Sequence, residues 1–215
     1  MTELKDDFHQ AVRATEGLFG LELADTTVAA LEHYYSCVLA DNELLHLVAP
    51  HSTGEFVTRH ILESLALLEF LPEGSSLADI GAGAGLPSIP CLLARSDLRG
   101  TLIESKLKKS DFLIKTIEDL SIGDRATVIN RQFEEIPKPA VGFVTCRALD
   151  KFIQKLPKLL KWSAGSGLLL FGGPSLREAL TANKVRFTEK LMPLSEQRYL
   201  FVCQPFAPSV GPLRR

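Results

Sequence analysis

The sequence predicts an α/β fold: a doubly wound, mostly parallel sheet carrying an N-terminal helical extension. Three observations predict it. Apolar residues keep a helical spacing from Leu4 to Leu71 with no convincing strand. Pro72, Glu73 and Gly74 then break the pattern. Beyond them, short β-rich runs alternate with helix-length segments, an order that closes into a parallel sheet. The expected organisation is a helical region over 1–72 and a sheet-built domain over 73–215.

In the helical region, Val28, Leu31, Tyr35, Val38 and Leu39 share one face, and Phe56, His60, Ile61, Leu65 and Leu68 share another. Strands are expected at 77–80, 101–104, 127–130, 141–145, 167–171 and 200–203. Helices are expected between them at 86–94, 108–120, 151–160 and 176–182. A sheet of this kind holds its ligand outside the carboxyl ends of its strands.

The chain has 215 residues with 46% hydrophobic and 23% charged, which suits one globular core and excludes a disordered class. Cys37, Cys91, Cys146 and Cys203 form no C-x-x-C pair, so neither a zinc site nor a disulfide framework is expected. A reducing cytoplasm is the expected location. No basic-then-apolar leader and no apolar stretch near about 18 residues is visible, so no membrane association is expected. The net charge of −2 hides an asymmetry: residues 1–78 hold three basic and 13 acidic groups, residues 79–215 hold 21 basic and 13 acidic. A basic second half can draw an anion such as RNA, or the acidic half can simply neutralise it.

The chemistry concentrates in Leu77-Ala-Asp79-Ile-Gly81-Ala-Gly83-Ala-Gly85-Leu86-Pro87, a strand that opens into a glycine-rich turn. Glycines at alternate positions let a ligand lie against bare N–H groups. A dinucleotide fingerprint would need Gly or Ala where Leu86 stands, and the Asp79 carboxylate would repel a pyrophosphate. S-adenosylmethionine fits better, with Asp79 facing its cationic methionine end. Glu104 closes the next strand, where a carboxylate can accept hydrogen bonds from ribose hydroxyls.

The acceptor side has fewer markers. No Asp/Asn-Pro-Pro-aromatic tetrad is present to position an exocyclic amine, and no Pro-Cys pair supplies a thiolate. Cys146 reads as a buried small hydrophobe at a strand end. A ring nitrogen with a free lone pair needs neither device, and its methylation rests on in-line positioning. Arg147 stands where an acceptor would approach and can bind phosphate or stack on a base; the alternative is a salt bridge to Asp150. Lys106, Lys108 and Lys109, and Lys151, Lys155 and Lys158, form basic faces that suit either nucleic acid or solvent.

These motifs fall in an order that resembles the bacterial ribosomal RNA small subunit methyltransferase G family, also called glucose-inhibited division protein B. The matching pieces are Asn42 with Leu47-Val48-Ala49, Arg59-His60-Ile-Leu-Glu63-Ser64-Leu65, and Asp79-Ile-Gly81-Ala-Gly83-Ala-Gly85-Leu86-Pro87-x-Ile89-Pro90. They continue with Glu104-Ser105-x-x-Lys108-Lys109-x-x-Phe112-Leu113, Glu134-Glu135, Arg147-Ala148 and Arg198. The Gly-Leu-Pro-x-Ile-Pro continuation is the specific part. The resemblance implies a class I, Rossmann-like methyltransferase that uses S-adenosylmethionine to methylate N7 of a guanosine in 16S rRNA of the small ribosomal subunit. It implies cofactor contacts from Asp79, Gly81, Gly83, Gly85, Leu86, Glu104, Ser105, Glu134 and Arg147. Arg147 is also expected near the transferred methyl, and Arg59, His60, Lys108, Lys109 and Arg198 are expected at the RNA or the domain interface. A monomer without a metal is expected. The chain departs from the family at His46, at Gln132, at Gly172, where a lysine is usual, and at Tyr199, where a histidine is usual. Alternatives are a non-catalytic RNA- or ribosome-binding paralogue, a methyltransferase of small molecules, which would need an apolar pocket, and a nicotinamide oxidoreductase, which Leu86 and Asp79 disfavour.

Overall fold

The computed structural model describes residues 2–203; residues 204–215 of the expected second domain lie outside them. The chain opens on helices: α1 (Thr2–Thr15), a 3-10 turn at Glu16–Phe19, and α2 (Asp25–Leu45). His46 then ends α2 in the left-handed conformation, its N–H on the Asn42 carbonyl. A Ser52–Glu55 capping box starts the next helix, satisfying two N–H groups reciprocally. That helix is irregular: α3 (Thr53–Phe56) runs into a π-helical stretch at Val57–Leu62, then α4 (Glu63–Leu65) and a 3-10 turn at Ala66–Phe70. The sheet follows as β1 (Ser76–Ile80), α5 (Ser88–Ala94), β2 (Arg99–Ile103), α6 (Leu107–Asp119), β3 (Ala126–Ile129), β4 (Phe143–Arg147), α7 (Phe152–Trp162), β5 (Gly167–Gly172), α8 (Pro174–Ala182), β6 (Phe187–Leu191) and β7 (Tyr199–Cys203).

The strand order is β3-β2-β1-β4-β5-β7-β6, with β7 antiparallel to both its neighbours and the other pairs parallel. The expected mostly parallel, doubly wound sheet is the one found, with one strand more. β6 was not anticipated, because Phe187-Thr-Glu-Lys-Leu191 is a largely exposed edge strand without an apolar run. β4 begins two residues later than expected, so Arg147 ends the strand instead of following it. α5 begins at Ser88 because Leu86 and Pro87 still belong to the turn, and Lys151 stands before α7 at φ +53.

Alternate residues of β5 divide the core. Leu168 and Leu170 pack with Leu156, Leu159 and Leu160 of α7 and Leu176 and Leu180 of α8. Leu169 and Phe171 face the opposite way, into a cluster with Ile89 and Leu92 of α5 and with Leu31, Ile61 and Leu65 of the helical region. The N-terminal helices therefore share an apolar core with one sheet face. That arrangement carries the irregular helix to the carboxyl ends of β1 and β4.

Candidate functional site

β1 delivers the chain into its turn at Gly81. The N–H groups of Gly81 and Ala82 both donate to the Ile103 carbonyl, at 2.8 and 3.2 Å, which ties the turn to the end of β2. Gly85 has φ +93, and a Cβ there would stand 2.4 Å from Ile89 Cδ1. Gly81 has φ +70, and its Cβ would meet Leu149 Cδ1 at 2.8 Å. Only glycine satisfies both the angle and the space at these two positions.

Two carboxylates support the turn in different ways. Glu104 accepts the Gly83 N–H on one oxygen at 3.0 Å and the Lys106 N–H on the other at 2.8 Å, leaving lone pairs for a ligand. Asp79 is 1% exposed and lies beneath the turn: one oxygen accepts the Ser88 N–H at 3.4 Å and the other has no partner. Burial pushes the Asp79 carboxyl up to about 7, with Ser88 opposing and Glu104 adding to the rise.

A cleft of about 380 Å³ opens above these groups. Its floor is the turn at Gly81, Gly83 and Leu86, and Glu104 and Ser105 form one side. Arg147 and His60 form another, and Lys109 with the 47–49 loop a third. The loop is held by Asn42 Oδ1, which accepts the Val48 N–H at 2.9 Å, and by Lys109 Nζ, which donates to the His46 carbonyl at 3.1 Å. Tyr34 donates to the Ala84 carbonyl at 2.9 Å, fixing the turn from α2.

Arg147 does not pair with Asp150, the salt bridge considered from the sequence. Its Nη2 donates to the Arg59 carbonyl and to Glu63 Oε2, the latter at 3.2 Å, because the irregular helix brings both within reach. Its Nη1 is buried without a partner, and the guanidinium lies 5.3 Å from the centre of the Phe171 ring. Glu63 also accepts Arg198 Nε at 2.6 Å on its other oxygen. His60 faces the cleft as a neutral ring, its pKa pushed down to about 3 by burial and by Arg147 beside it.

Of the residues singled out in the sequence, the cleft brings together Gly81, Gly83, Leu86, Glu104, Ser105, His60, Lys109 and Arg147. Asp79 and Gly85 do not line it: Asp79 is buried beneath the turn and does not open on the cleft, as its expected place facing a ligand would require. Glu134 lines a small adjoining hollow with Ser105 and is 3.8 Å from Lys155. Arg59 and Lys108 are exposed outside the cleft, and Arg198 is engaged by Glu63. His60 lines the cleft, where its neutral ring offers a hydrogen bond without a formal charge. Cys146 is fully buried with its thiol pushed upward by desolvation, so it offers no thiolate. Sequence reasoning assigned no site role to Tyr34 or Glu63, and of these only Glu63 had a signal, as part of the 59–65 motif; Lys106 and Lys155, placed on basic faces that suit either nucleic acid or solvent, also line the cleft. Among the described residues no helix is long and apolar enough to cross a membrane, and no group of three metal-ligating side chains is present.

Residues 27–199 match the family described as rRNA small subunit methyltransferase G. The chain belongs to this family. Two relatives carry the name ribosomal RNA small subunit methyltransferase G. The one from Sorangium cellulosum is 35% identical over 70% of this chain and 66% of its own length. The one from Mycolicibacterium vanbaalenii is 38% identical over 76% of this chain and 68% of its own. The chain thus spans about two thirds of the length of these relatives. The fold is also that of the solved structure described as M. jannaschii TYW2 in complex with AdoMet, with a TM-score of 0.52, 13% identity, and 67% of this chain and 74% of that one covered. Within the family, the glycine at 172 has a packing reason here: a Cβ would lie 2.5 Å from Leu176 Cδ2, which fills that space.

Proposed function

We propose that the protein transfers a methyl group from S-adenosylmethionine to N7 of a guanosine in 16S rRNA of the small ribosomal subunit. The observation that carries the reading is the shared cleft: in a chain of this family, the glycine turn, Glu104 and Arg147 open on one space. The residues present fit this cofactor. Gly81, Gly83 and Gly85 keep alternate positions of the turn free of Cβ atoms, Glu104 keeps acceptor capacity for ribose hydroxyls, and Asp79 keeps an unpartnered oxygen beneath the turn that would favour a cationic group above it. When bound, S-adenosylmethionine supplies an electrophilic methyl on a sulfonium and leaves as a neutral thioether.

The chain's own groups position the reactants. Gly81, Gly83, Leu86, Ser105 and Glu104 define the cofactor bed, Gly85 lets the turn close over Ile89 beneath it, and Glu134 and Asp79 act from the adjoining hollow and from below. Arg147 lines the cleft beside the acceptor, and its Nη1, buried with no protein partner, has donor capacity left for a phosphate or base oxygen that reaches it. N7 already bears its lone pair, so no group need remove a proton from it before transfer. Lys109, Lys108 and Arg59 supply positive charge at and around the mouth for the RNA backbone. The decisive experiment maps N7-methylguanosine in 16S rRNA from a strain lacking this chain, before and after the chain is restored. Loss and recovery at one position are expected; an unchanged modification pattern would refute the reading.

A further inference from the structure

We infer that Glu63 is a positioning residue for methyl transfer, holding the Arg147 guanidinium against the cleft through a buried pair that Arg198 shares. The inference rests on the role given to Arg147 above. Glu63 is 1% exposed and sits at the start of α4, directly after the π-helical stretch. The wide turn there is marked by the Glu63 N–H on the Thr58 carbonyl, five residues back. It directs the Arg59 carbonyl and the Glu63 carboxylate at the same nitrogen, Nη2 of Arg147. A guanidinium is a planar fork, so fixing Nη2 fixes the direction of Nη1, the edge without a protein partner.

The charges fit this role. One buried carboxylate faces two guanidiniums, Arg147 at 3.2 Å and Arg198 at 2.6 Å. Methyl transfer moves positive charge from the donor onto the acceptor ring, and an unbalanced pair of cations beside that ring would oppose it. Glu63 offsets one of them. Arg198 anchors the other carboxylate oxygen, so the carboxylate does not turn away from Arg147.

The test measures single-turnover methylation of undermethylated small subunits, calorimetric S-adenosylmethionine affinity and melting temperature for Glu63→Gln, Arg147→Ala and the double variant. Glu63→Gln should lower the transfer rate about tenfold or more while leaving cofactor affinity within about twofold. In the Arg147→Ala background it should add no further loss, because the two act as one unit. A wild-type rate for Glu63→Gln, or an equal further loss in the Arg147→Ala background, would overturn the inference while Arg147 kept its role. A wild-type rate for Arg147→Ala would overturn the role of Arg147 itself, and this inference with it. Arg147→Lys keeps the charge and loses the fork with Glu63 intact; it should slow transfer comparably, and a wild-type rate there counts against positioning even if Glu63→Gln does not fold.

Discussion

Glu104 acts at the scale of one side chain, joining the glycine turn to the end of β2 while keeping lone pairs for a ligand. Glu104→Ala should weaken S-adenosylmethionine binding about 10- to 150-fold, since a hydrogen bond to a charged group contributes about 1.5–3 kcal/mol. Calorimetric titration checks this, and unchanged affinity would remove Glu104 from the site. Asp79 gives a pH signature. Its carboxyl is raised from 3.8 to about 7 in the folded protein, so folding favours its protonated form. That stabilisation is complete below about pH 4 and is lost as pH rises toward and through about 7, by on the order of a few kcal/mol. The ligand-free protein should therefore melt at lower temperature at pH 7.5 than at pH 5. Asp79→Asn should flatten that slope.

At the scale of elements, α2 and the irregular helix build the wall that the sheet alone lacks. Tyr34 reaches from α2 to the Ala84 carbonyl and is fully buried. Tyr34→Phe leaves that carbonyl without its donor and should cost about 1–3 kcal/mol, read as a lower urea midpoint with unchanged slope. An unchanged midpoint would mean that the turn holds itself. The π-helical stretch was not legible in the sequence, because its residues keep an ordinary amphipathic helical pattern and the extra residue per turn is settled by what they pack against. β6 escaped for a related reason: an exposed edge strand shows no apolar alternation.

At the scale of the molecule, the two charge-asymmetric halves meet through specific pairs. Glu63, Glu69 and Asp41 of the acidic half pair with Arg147 and Arg198, with Lys190, and with Lys115 of the basic half. Part of the asymmetry is thus satisfied inside the fold, while Lys108 and Lys151 remain exposed. Because the N-terminal helices share a core with one sheet face, both parts should unfold together. Trp162, the single tryptophan, packs on Phe133 in the other layer and donates to the Ile136 carbonyl at 2.8 Å. Its fluorescence should follow the same denaturation curve as far-UV circular dichroism. Two separated transitions would show that the helical region folds on its own.

The sheet, the glycine turn and the place of the Glu104 carboxylate beside that turn followed from the sequence by itself, because each is set by local chemistry: strand-length apolar runs, positive φ values, an acid directly after a strand. Arg147 could be named but not placed. Whether it met Asp150 three residues away or Glu63 on a distant helix was decided only by tertiary structure, which aims the irregular helix at the end of β4. The same holds for Asp79, whose position in sequence suggested a ligand contact. Packing seals it under the turn, and the resulting loss of solvent, which no linear pattern records, pushes its carboxyl up from the usual range.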